Sequence, residues 1–108
     1  MADQLVEKRA LLEGQMFVAI ADIELKKGKE DEFKKWFVQS NHILAGQDGF
    51  IARKLLKSPR GSHRILVIME SKEAFARMHT TPEHAKLHME ALAFMTRPPK
   101  ISAYDSVS

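Results

Sequence analysis

The 108-residue chain contains no cysteine. That excludes a disulfide framework, a thiolate nucleophile and a thiolate metal site. It also lacks any apolar run near the ~20 residues that a membrane-spanning helix needs. The opening residues, MADQLVEKRALLEG, lack the basic-then-apolar pattern of a secretory signal, so a cytoplasmic protein without a membrane partner is expected. Aromatic residues for base stacking are scarce, with one Trp and one Tyr, and the net charge is only +3. Lys and Arg are interspersed with Asp and Glu, so no nucleic-acid surface is expected. There is no glycine-rich phosphate loop, no nucleophile elbow and no close carboxylate pair in apolar surroundings. Asp22 is the lone acid of a largely apolar segment, and is expected at a solvated rim or against a partner subunit, with a general base as the alternative role.

What remains is one domain's worth of patterned sequence. A chain of this length buries roughly two-thirds of its unfolded surface. Residues 1–15 read as an added helical extension carrying Leu5, Val6, Leu11 and Leu12, and residues 16–108 as the domain. Met16–Leu25 alternates as a strand, with Phe17, Ala19, Ala21, Ile23 and Leu25 on one face. Glu30–Leu44 sets Phe33, Trp36, Phe37, Ser40 and Leu44 at helical spacing, with His42 opposite, in water. Phe50–Lys57 and His63–Glu70 read as a hairpin around the Ser58–Ser62 loop. Ser71 caps a short helix carrying Ala74, Phe75 and Met78, and Thr81-Pro82 starts another. Ile101–Val107 supplies the last strand.

This order predicts an α+β, ferredoxin-like βαββαβ fold: a four-stranded antiparallel sheet with the helices on one face. The first and third strands are apolar on both sides, through Met16, Val18, Ile20, Leu66 and Ile68. Helices cover only one side, so a homodimer joined sheet to sheet is expected.

The chemistry-bearing residues cluster late. On Pro82–Met95, Glu83, Lys86 and Glu90 define a polar face, and His88 projects away from it between His84, Ala85, Leu92 and Met95. A buried imidazole requires a partner: a backbone carbonyl, a substrate proton or a cofactor metal. His84 and His88, at i and i+4, have zinc-ligand spacing, but the HExxH pattern is absent. Arg53, Lys54 and Arg64 could meet carboxylates or propionates at a cleft mouth but read first as a solvated strand face, and Trp36 and Phe37 read as core anchors.

Several of these motifs together resemble the antibiotic-biosynthesis-monooxygenase superfamily of dimeric α+β barrels, nearest to its small haem-degrading members. They are the Lys27-Gly28 turn after the first strand, Trp36-Phe37, Gly49-Phe50, and Glu70-Ser71-Lys72-Glu73-Ala74-Phe75 followed by His88. The resemblance runs from Met16 to Val107. It implies a catalytic His88 that is the axial ligand to haem iron, with Ala19, Ala21, Phe75 and Met78 against the cofactor. Ala21 stands where haem-degrading relatives carry asparagine, and Met78 where they carry tryptophan. Two other functions stay open. One is a cofactor-independent oxygenase of quinols or polyketide-like phenols, and the other a non-catalytic dimer that binds a small apolar ligand.

Overall fold

The computed structural model describes residues 16–108, so the expected helical extension over 1–15 lies outside the described residues. The elements run β1 (Phe17–Ile23), α1 (Glu30–Leu44), β2 (Phe50–Lys57), β3 (His63–Met69), α2 (Lys72–Met78), α3 (Pro82–Leu92) and β4 (Lys100–Asp105). The strands pair antiparallel in the order β2-β3-β1-β4, the ferredoxin-like arrangement expected from the sequence. β1 is shorter than the apolar pattern suggested. Beyond Ile23, Leu25 makes only an isolated bridge, to Met95. β4 likewise ends at Asp105, short of Val107.

Local chemistry explains the helices. Glu30, Asp31 and Glu32 occupy the first turn of α1, where carboxylates complement the helix dipole. The Ser71 hydroxyl accepts the Ala74 N–H at 3.0 Å to start α2. Thr81 Oγ1 does the same for the His84 N–H at 3.2 Å, with Pro82 opening α3. Among the described residues, no helix is long and apolar enough to cross a membrane.

Phe17, Ala19 and Ile23 of β1 and Ile65 and Met69 of β3 are buried beneath the helices. They divide into two packed groups. One joins Phe17 and Met69 to Leu44, Met78 and Leu87. The other joins Ile23 and Ile65 to Phe33, Phe37, Ala91 and Met95. On the opposite face Val18 lies across from Ile68 and Ile20 across from Leu66, flanked by exposed Tyr104 and Leu56. Those four aliphatic side chains join neither group and remain partly exposed.

Gly49 is where the sheet and α2 approach most closely. Its φ is +80°, and a Cβ there would stand 2.4 Å from the Ala74 methyl. Gly49→Ala is therefore expected to cost about 2–5 kcal/mol, adding backbone strain to overpacking. Urea unfolding would measure it, and a loss below ~1 kcal/mol would show that α2 shifts freely.

Candidate functional site

Between the two packed groups lies a cavity of about 350 Å³. Its origin is local. Phe17 and Ile23 fill the space under the helices at the ends of β1, whereas Ala19 and Ala21 between them do not. The sheet therefore leaves a hollow there, floored by Ala19, Ala21, Ile65 and Val67 and roofed by Met78, Leu87 and Ala91. A concave, mostly apolar space of this size suits a small organic ligand.

All five residues singled out from the sequence, Ala19, Ala21, Phe75, Met78 and His88, line this one cavity. His88 is nevertheless not the buried imidazole that the helical projection predicted. It is exposed at the cavity's edge, and the inward line of α3 runs through Leu87 and Ala91 with half-buried His84 beside them. Glu90, assigned to the polar face, accepts the Trp36 indole N–H at 2.9 Å. That bond helps hold Trp36 half-buried as one wall of the cavity.

His88 is the end of a row. Its ring lies nearly parallel to that of His84, centroids 6.4 Å apart, and His84 sits 4.1 Å from His79. His79 in turn packs on Phe75 at 4.2 Å. All three histidines line the cavity, and among the described residues no group of three His, Cys, Asp or Glu is placed to hold a metal ion. His79 Nδ1 lies 2.8 Å from the Phe75 carbonyl. A carbonyl only accepts, so Nδ1 carries the proton and a neutral His79 keeps Nε2 as an acceptor.

Burial, reinforced by the charges of His79, His88 and Arg53, lowers the His84 pKa to about 4. His84 is thus neutral near pH 7. The unfolded chain takes up this proton first as pH falls, so folding stability should drop between pH 6.5 and about 4. Melting temperatures followed across that window should fall less steeply in His84→Gln. An unchanged slope would show that His84 is not the titrating group.

Arg53 overturns the expectation of a solvated strand face. A bulge between Phe50 and Ala52 inserts one extra residue into β2, so Phe50 pairs with Met69 and Arg53 with Val67. Both therefore face the helices. Arg53 Nε donates to Asn41 Oδ1 at 2.7 Å, and Nη2 donates to Ser40 Oγ and, at 3.4 Å, to the Phe37 carbonyl. The guanidinium carbon lies 4.2 Å from the centroid of the Phe37 ring and 5.9 Å from that of Trp36. Burial lowers its pKa to about 10, which leaves it charged near neutrality. Lys54 and Arg64 do remain exposed. Asp22 accepts from Arg64 Nε at 2.5 Å and does not line the cavity.

A four-stranded antiparallel sheet with three helices on one face and a cavity between the layers defines the ferredoxin-like α+β class. The family model for antibiotic biosynthesis monooxygenases matches residues 16–90, and the chain belongs to that family. No protein of curated function matches it by sequence. Among solved structures it is similar to a candidate antibiotic biosynthesis monooxygenase from Bordetella bronchiseptica. The two are 16% identical with a TM-score of 0.79, over 87% of this chain and 99% of that one. A Caulobacter crescentus protein of the same description is 22% identical with a TM-score of 0.75, over 94% and 99% of the two chains. SnoaB, a cofactor-independent oxygenase from Streptomyces nogalater, is 18% identical with a TM-score of 0.75, over 87% and 95%. At these identities the likeness is one of fold.

Proposed function

We propose that this protein is an oxygenase of a small, ring-bearing phenol or quinol-like substrate, working as a homodimer and without a resident cofactor. The observation that carries the reading is the cavity itself, an apolar hollow whose rim is a contiguous row of three histidines. His79 is the proton acceptor, through Nε2, because its Nδ1–H is committed to the Phe75 carbonyl. Neutral His84 packs between the other two rings, and His88 stands at the entrance. Removing a proton from an activated ring carbon or hydroxyl leaves an electron-rich anion that O₂ can oxidise. For a CH₂ flanked by aromatic rings the balance is one O₂ consumed, one C=O formed and one water released. The substrate supplies all four electrons, so no external reductant is needed.

The residues present do not fit a haem. His88, the expected axial ligand, is exposed and stacked beside His84, while Ala19 and Ala21 give no side-chain hydrogen bond opposite it. The hollow lies at the lower end of the range for drug-sized ligands. The dimer is supported by the unoccupied aliphatic face of Val18, Ile20, Leu66 and Ile68.

The test is O₂ uptake with anthrone, with anthraquinone as the product. Catalysed uptake is expected without added metal, haem or flavin. No uptake with anthrone or a panel of naphthohydroquinones would leave the non-catalytic ligand-binding reading. A haem Soret shift lost in His88→Ala but kept in His84→Ala would replace the proposal with haem ligation.

A further inference from the structure

The cavity holds one charge that nothing among the described residues balances. Of the residues lining it, only Arg53 is permanently charged, and none is Asp or Glu. Arg53 takes part in no ion pair among the described residues, and its neighbours Asn41, Ser40 and the Phe37 carbonyl are all neutral acceptors. Burial alone accounts for the lowered pKa of Arg53. Partly burying a guanidinium without a carboxylate is costly. The fold nonetheless goes to some length to place it there. A β-bulge turns Arg53 inward, and Nε and Nη2 are fixed by α1 while Phe37 and Trp36 flank the guanidinium plane.

The third nitrogen is different. Nη1 has no acceptor among the described residues, yet no side-chain nitrogen or oxygen is sealed away without a partner. Nη1 is therefore not sealed off, and Arg53 is among the residues that line the cavity. A rigidly held cation with one pair of N–H donors free is suited to meeting an oxyanion.

We infer that the cavity takes a ligand whose aromatic ring system carries an anionic oxygen, and that Arg53 is the specificity-determining residue that binds this oxyanion through Nη1. The inference rests on the cavity being the substrate site, and it narrows the proposed substrate from apolar ring compounds to ring compounds bound as anions. The ring lies against Trp36 and Phe75, and the oxyanion faces β2, away from the exposed His88.

Two probes of nearly the same shape test it: 2-naphthoate, which is anionic at pH 7.5, and 2-naphthamide, which is neutral. Calorimetry gives each affinity. The indole N–H resonance of Trp36, the chain's single tryptophan, reports whether the probe is in the cavity. Naphthoate is expected to bind about tenfold to a hundredfold more tightly, as for a charge-assisted hydrogen bond. Both probes should shift the indole resonance. Arg53→Gln should abolish the preference, Arg53→Lys should retain part of it, and Lys54→Gln, on the opposite face of the same strand, should leave it intact.

Equal affinities in the native protein, with the indole resonance shifted by both, would overturn the oxyanion inference and leave the cavity as the site. That comparison needs no variant, so it stands even if Arg53→Gln fails to fold. A preference that survives in a folded Arg53→Gln would assign the charge recognition elsewhere and equally overturn it. If neither probe moved the indole resonance at millimolar concentration, both the inference and the substrate-site reading would fall.

Discussion

His79→Gln should lower kcat for anthrone oxidation by about 10²–10⁴-fold, the usual contribution of a positioned proton acceptor. Its fold should be undisturbed, because His79 is exposed and glutamine's amide can still donate to the Phe75 carbonyl. KM should change little, since the apolar walls that hold the ring are untouched. His84→Gln should lose less, because a ring whose pKa has been lowered to about 4 is a weak base near pH 7. His88→Gln, at the edge of the cavity, should lose least. Oxygen-electrode rates for the three variants at saturating anthrone decide the order. A His88 loss exceeding that of His79 would return the catalytic role to the residue that the family resemblance first indicated.

Ile20→Asp is expected to dissociate the dimer and lower the melting temperature together. Ile20 pairs with Leu66 on the face away from the helices, beside Val18 and Ile68. In a sheet-to-sheet dimer these side chains meet their counterparts, and an aspartate among them would be a buried, unpaired charge. Assembly and folding share that interface, so the variant's stability should become strongly dependent on protein concentration. Sedimentation of the native protein at micromolar concentration must first give a dimer. A stable native monomer would refute the assembly. Ala103 is a useful counter-position, since it pairs with Ala19 on the helix side of the sheet and lies outside the proposed interface.

Secondary structure and topology were legible because each signal was local. The boundaries of α1 and β2 follow the apolar spacing, and Ser71 and Thr81-Pro82 mark the starts of α2 and α3. The cavity floor was legible as well, since alternation along β1 puts Ala19 and Ala21 on the face of Phe17 and Ile23. Two orientations were not. The polar face of α3 was drawn through Glu90, but Glu90 bonds Trp36 from another helix, so the true inward line falls on Leu87 and Ala91. His88 is displaced to the edge by that small rotation. For Arg53 the preferred solvated-face reading fails for a different reason. Strand parity holds only while the ladder is regular, and one inserted residue near Phe50 reverses it. Nothing in the FIARKLLK stretch announces the bulge, although Gly49 immediately before it marks an unusual backbone.

The junction between β1 and α3 has a mechanical consequence. The Lys26 N–H donates to the Phe94 carbonyl, the Thr96 N–H to the Glu24 carbonyl, and the Thr96 hydroxyl to Glu24 Oε1. These bonds clamp the carboxyl end of α3 to the sheet. Among the described residues, no backbone hydrogen bond does the same for its amino end, which is tied instead to α2 through Thr81 and Met78. The helix is thus mounted like a cantilever, fixed at one end and sprung at the other. Any deflection that widens the hollow is greatest at the amino end, the end that carries His84 and His88 and abuts His79. A ligand entering the proposed substrate site from that end would have to move with the histidine row. Stiffening the elbow at Thr80-Thr81 would slow that entry, while loosening the clamp at Thr96 would let the whole roof rise and cost the cavity its shape.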